Sequence, residues 1–161
     1  MRTLFLLLAL ITAIATAPAQ NSSHKEAAAK ALVKIFDKHC KYSGTLIMRK
    51  EPGLYALKVK LGAGNKVKEI IASDNAPADV IGEMTDPAIF SGYHWEQLLG
   101  RKTREGDLVI MPIVAISSDE PTSGFSPEKF EKQFIFQGRK SNFENCLLVQ
   151  PYIIRYSGPV T

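Results

Sequence analysis

Leu54-Tyr55-Ala56-Leu57-Lys58-Val59-Lys60-Leu61-Gly62-Ala63-Gly64-Asn65-Lys66-Val67-Lys68-Glu69-Ile70-Ile71-Ala72-Ser73 is the stretch from which the fold is read. Tyr55, Leu57, Val59 and Leu61 alternate with Ala56, Lys58 and Lys60. A period of two belongs to a strand, and here it leaves one face apolar and one wet. Gly62 to Asn65 supplies the positive-φ positions of a hairpin loop, and Lys66 to Ser73 returns as the partner strand. The pair Gly62-x-Gly64 is not a phosphate cradle, because that device needs a helix N-terminus directly after it and a strand follows instead.

A hairpin with one apolar face needs helices to cover it, and the sequence supplies them on both sides. Upstream, Ser23-His24-Lys25-Glu26 is a capping box, with Glu26 also four residues from Lys30. Ala28, Leu32, Ile35, Phe36 and His39 share one helical face, which Tyr42-Ser43-Gly44 closes. His39 on that face reads as a packed, hydrogen-bonded residue. Thr45 to Arg49 reads as a short strand before the hairpin.

Downstream, Ser73-Asp74-Asn75-Ala76-Pro77 opens a helix, with a cap donor followed by proline in the first turn. Thr85-Asp86-Pro87 opens another, and Ile89, Phe90, Tyr93 and Leu98 keep rough helical spacing as far as Gly100. Asp107 to Ile116 is a strongly apolar strand, in which Pro112 calls for an edge or a bulge because it cannot donate to a ladder. Ser117 to Pro127 reads as a polar loop, Lys132 to Phe136 as a short strand and Leu147 to Tyr156 as a longer one. One echo links the two long strands. Leu108-Val109-Ile110-Met111-Pro112 and Leu147-Leu148-Val149-Gln150-Pro151 both begin with two apolar residues and reach proline at the fifth. They read as two strands with similar interruptions. The expected fold is α+β, an antiparallel sheet of four to five strands packed against one or two helices.

Residues 1 to 19 read as a cleavable secretory signal. Arg2 supplies the positive charge, and Leu4 to Ala17 is apolar apart from two threonines. That run is shorter than the roughly 20 residues of a spanning helix, and Ala17-Pro18-Ala19 fits the peptidase, leaving Gln20 as the new N-terminus. The remainder, residues 20 to 161, is one domain, released to the periplasm or the exterior with no stable membrane span after cleavage. The whole chain carries 20 Lys and Arg against 16 Asp and Glu, a net charge of +4, and losing Arg2 lowers it by one. Those charges are interleaved, as in Glu128-Lys129-Phe130-Glu131-Lys132, whereas nucleic-acid binding needs cations gathered on one face. Nucleic acid is therefore not an expected partner.

Cys40 and Cys146 are too far apart in sequence for a CxxC pair. In an oxidising compartment they can bridge, and the long loop so closed would remove about 4 to 5 kcal/mol of unfolded-state entropy. The alternative is two separately buried thiols acting as small hydrophobes. Tyr93-His94-Trp95-Glu96 is the only cluster joining an imidazole, a carboxylate and two aromatics, but consecutive helical residues diverge. Trp95 reads as a core residue, with Tyr93 and Trp95 as a sugar or peptide platform the functional alternative. With His24, His39 and His94 the only histidines, no HExxH or His/Cys metal pattern exists. No GxSxG elbow is present either, so no catalytic residue, metal ligand or cofactor is expected.

Leu54 to Ile116 resembles the C-terminal domain of TonB-family proteins. The features that carry the resemblance are the strand Tyr55 to Leu61, a glycine-containing turn and a second strand ending in polar residues, Val67 to Asn75. A helical segment holding Trp95, then Gly100-Arg101-Lys102 and the proline-containing strand Leu108 to Ile116, complete it. The resemblance implies a periplasmic α+β domain that pairs with a short peptide of an outer-membrane protein by strand addition. No proline-rich spacer precedes this domain and its apolar leader reads as cleavable, so a free-standing relative that transmits no force is implied. The expected function is a non-enzymatic interaction module engaging another envelope protein by strand addition, with a small-ligand or glycan-binding domain as the alternative.

Overall fold

The computed structural model describes residues 23–40, 43–49, 51–118, 126–143 and 146–157. The expected leader and the cleavage site before Gln20 lie outside those residues, as does residues 119–125 of the expected loop. In chain order the elements are α1 (residues 23–39), α2 (Gly44–Arg49), β1 (Gly53–Leu61), β2 (Val67–Ala72) and α3 (Ala78–Met84). A 3-10 turn (Pro87–Phe90), α4 (Trp95–Leu99), β3 (Leu108–Ser117) and α5 (Pro127–Lys132) follow. The chain then forms β4 (Ile135–Phe136), β5 (Arg139–Lys140), β6 (Cys146–Leu148) and β7 (Tyr152–Tyr156).

The alternation in β1 does what its period requires. Tyr55, Leu57, Val59 and Leu61 enter one core with Val109, Met111, Ile113, Ile154 and Tyr156 from the neighbouring strands. Leu32 and Phe36 of α1, Val80 and Met84 of α3, Phe90 and Trp95 close it from above. β2 pairs antiparallel with β1, with Val59 opposite Ile70, and the turn between them holds Gly64 at φ 68 and Asn65 at φ 60. β3 pairs antiparallel along the other side of β1, from Gly53 opposite Ala115 to Lys60 opposite Leu108.

The class is α+β, as expected. The five-stranded sheet is mixed, however, because β6 and β7 both run parallel to β3. A parallel neighbour needs a long crossover, and residues 118–145 provide it. That crossover also alters the second face. Ala56 and Ile110 there pack against Phe136, and the Lys58 ammonium lies 4.6 Å from the Phe136 ring centre. Gln133 is buried and donates to the Tyr55 carbonyl at 3.0 Å. The face read as wet is thus partly roofed by the α5–β4 segment, which sequence alternation in β1 cannot reveal.

Four local expectations change. Thr45 to Arg49 lies in a helix. The Ser43 hydroxyl accepts from the Leu46 amide at 3.2 Å while donating to Asp79 at 2.9 Å, so a cap anchored from α3 overrides strand propensity. Ser73 caps nothing; its hydroxyl accepts from the Ala56 amide at 2.9 Å, and α3 starts after Pro77. The helical spacing from Ile89 to Leu98 is divided, because Gly92 takes φ 78 between the 3-10 turn and α4. The strand expected over Leu147 to Tyr156 is broken into β6 and β7.

Pro112 explains that break. Ala56, its Cα partner on β1, directs both its amide and its carbonyl to Ser73 on the β2 side. Ala56 and Pro112 are therefore a non-hydrogen-bonded pair, and the backbone nitrogen of Pro112 points away from β1. It faces residues 149–151, where no donor from β3 is on offer and where Pro151 itself has none. Pro112 consequently sits in a central strand, not at an edge. The ladder stops on its far side instead.

Candidate functional site

Among the described residues the broken strand is also one end of the sheet. The Tyr156 carbonyl accepts from the Ser118 amide at 2.7 Å, so Tyr156 points its backbone groups at β3, and with it Ile154 and Tyr152. Strand geometry then turns the N–H and C=O of Ile153 and Arg155 outward. Among the described residues no strand pairs with that side of β7. Ile153 keeps 53% of its surface exposed, and Arg155 is exposed too.

α1 runs beside this edge. Tyr152 stacks on Phe36, with ring centres 4.9 Å apart and planes inclined by 20°, and its hydroxyl donates to Asp37 at 2.7 Å. Between helix and strand lies a groove of about 860 Å³, with Leu32, Val33 and Phe36 on one wall and Pro112, Val149 and Pro151 on the other. A smaller cleft of about 330 Å³ continues it past Tyr152, along Asp37, Cys40 and Arg155. Both spaces share Asp37, Tyr152 and Ile153, so the cavity follows the free edge. The main groove falls in the size range of ligand sites, and its apolar walls with few polar groups are of the usual kind.

The residues singled out in the sequence are scattered. Trp95 is fully buried, between Phe90 at 5.3 Å and Tyr93 at 4.7 Å. Tyr93 is buried as well, its hydroxyl donating to the Ala28 carbonyl at 2.9 Å, and burial pushes its phenol well above the usual range. Tyr93 and Trp95 therefore form part of the core and offer no platform to a ligand. The apolar stripe of this segment must cover the sheet, and the two rings are the largest groups available to do so. His94 is exposed at the start of α4 and makes no side-chain cap bond, while Glu96 accepts from the Thr103 amide at 3.3 Å. The four neighbours do not converge.

Cys40 and Cys146 are both free, and they pack against opposite faces of the sheet. The possible disulfide is absent, and the separate-thiol alternative describes the structure. Cys40 lies 4.0 Å from the Tyr55 hydroxyl, and burial pushes its thiol up to about 11. Burial raises the Cys146 thiol too. His39 is half-buried, with its Nδ1 3.6 Å from a Glu83 carboxylate oxygen, an ion-pair distance and not the expected hydrogen bond. Among the described residues no group of His, Cys, Asp and Glu could hold a metal ion. No helix among them is long and apolar enough to cross a membrane.

One further cleft, of about 550 Å³, gathers Arg101, Arg104 and Cys146 at the end of the sheet. Its strongest polar group is already used. Arg101 forms a two-pronged bond with Asp107 at 2.7 and 2.8 Å, and the Arg104 amide donates to the same carboxylate at 2.8 Å. That cluster holds the turn before β3.

No family model, curated protein or solved structure matches this chain. The edge of β7 did not stand out in the sequence, because exposure of one side of a strand depends on which neighbours it finds. The signal was nevertheless present in Pro112 and Pro151, neither of which has a backbone N–H to give a ladder.

Proposed function

We propose that this chain is an exported, non-enzymatic interaction module that takes an extended peptide from another envelope protein onto the outer edge of β7. The carrying observation is the outward pair of backbone donors and acceptors at Ile153 and Arg155, beside an apolar groove walled by α1. Strand addition draws affinity from such main-chain groups and specificity from pockets for alternate side chains. The TonB-like pattern of Leu54 to Ile116 supports the same mode of recognition, although here the edge belongs to a strand beyond that stretch. Export rests on the apolar leader and the Ala17-Pro18-Ala19 site. No enzyme is proposed.

Ile153→Pro tests the edge cleanly. Its N–H faces outward, so proline removes a donor for the peptide while the β3-directed groups of Tyr152 and Ile154 remain. Titrating isotope-labelled protein with valine- and threonine-rich heptapeptides should shift the amide resonances of residues 152–156, and Ile153→Pro should abolish the effect without altering the circular dichroism spectrum. Shifts confined to another surface, or undiminished binding by the proline variant, would refute the proposal. A second reading, a small-ligand site, draws on the groove volume of about 860 Å³ alone. Saturable binding of an apolar fluorescent probe that no peptide displaces would select it.

A further inference from the structure

The chemistry bordering the edge restricts what the incoming strand can carry. In a strand pair, residues directly opposite one another place their side chains on the same face of the sheet. A peptide residue opposite Ile154 therefore turns toward α1, into the cleft of Asp37, Cys40 and Tyr152. Residues opposite Ile153 and Arg155 turn the other way, beside an exposed isoleucine and an exposed guanidinium. Those two positions are separated by one residue on the protein, and so they are on the peptide.

The charges around the groove are unevenly satisfied. Glu26 is bonded to Lys30 at 2.7 Å, and Asp37 accepts the Tyr152 hydroxyl at 2.7 Å. Lys34, on the groove wall, and Arg155, on the edge, form none of the ion pairs among the described residues. Both acidic groups are engaged at home, whereas two of the cations, Lys34 and Arg155, are left for a visitor.

We infer that the partner is an acidic–apolar peptide, with an apolar residue opposite Ile153 and a carboxylate opposite Arg155, two positions apart. This rests on the strand-addition reading above. A cation in the second position meets Arg155 directly across the ladder, where like charges are unfavourable. A basic peptide is therefore selected against by the same residue that selects an acidic one.

Dye-labelled heptapeptides in a threonine background provide the probes. One carries valine and glutamate two positions apart, a second has lysine in place of the glutamate, and a third repeats the first with its central amides N-methylated. Fluorescence anisotropy on the full chain at low salt should show the glutamate peptide binding about 10-fold more tightly than the lysine peptide, within the span of cross-strand charge pairs. Arg155→Glu should invert that order, and Arg155→Gln should erase it. The N-methylated peptide should not bind, since it cannot donate to the edge. Equal binding of the glutamate and lysine peptides, or an order that Arg155→Glu leaves unchanged, would overturn the charge assignment; loss on N-methylation would then show that strand addition itself survives. Should no peptide bind, or should the N-methylated one bind as well as its parent, the strand-addition reading falls and this inference with it.

Discussion

Trp95 is the residue whose removal should cost this domain most. Its side chain is fully buried, it is wedged between Phe90 and Tyr93, and both of those rings rest on the same core as Leu32, Leu57 and Val109. Truncation to alanine loses the transfer energy of the indole and leaves a hole that neighbouring rings can only partly fill, about 3 to 5 kcal/mol together. That is a large part of the roughly 5 to 15 kcal/mol that holds a domain folded. With a urea dependence of about 1 to 3 kcal/mol per molar, the midpoint should fall by about 1 M or more. Trp95→Phe should be much milder. The indole N–H has no hydrogen-bond partner among the described residues, so phenylalanine gives up volume but no protein hydrogen bond. Urea denaturation followed by circular dichroism is the assay, because Trp95 is the only tryptophan and its loss removes the fluorescence probe. His94→Ala, one residue away but exposed, is the control and should leave the midpoint in place. A Trp95→Ala midpoint within about 0.5 kcal/mol of the parent, as surface substitutions give, would refute the packing argument.

Non-reducing peptide mapping of protein recovered from its own compartment should find Cys40 and Cys146 as separate thiols, since they lie on opposite faces of the sheet; a bridged peptide would contradict that placement. The Arg101 bond, with help from the Arg104 amide, holds the Asp107 carboxyl below its usual range, against the opposing effect of burial. A depressed carboxylate adds stability that is full above its unfolded pKa of about 4 and is lost as pH falls through the lower folded value. Asp107→Asn should thus reduce stability at neutral pH by about 1 kcal/mol, Arg101 being half-exposed, and flatten the acid limb of a thermal-melting profile. An unchanged acid limb would show that the ion pair contributes nothing. Ser43→Ala should cost about 1 kcal/mol in the same denaturation assay by uncapping α2 and freeing Asp79; no loss would mean that the helix forms without its cap.

What the sequence determined by itself was local. The period of two in Tyr55 to Leu61 and the glycine-rich turn each follow from a few adjacent residues, and both stand in the structure. The burial of Ala28, Leu32 and Phe36 followed from helical spacing in the same way. Tertiary structure decided whatever depended on a partner far along the chain. Thr45 to Arg49 became helical because Asp79 reaches the Ser43 hydroxyl, and Ala56 lost its wet surroundings because Phe136 covers it. The free edge belongs to the same kind. Pro112 and Pro151 announce that backbone donors are missing, but only pairing with β1 fixes which way Pro112 faces. That direction breaks the neighbouring strand into β6 and β7, which together form one outer edge of the sheet among the described residues. A strand's hydrogen-bonding groups are identical from residue to residue, so the chain alone cannot say which of them will find no partner.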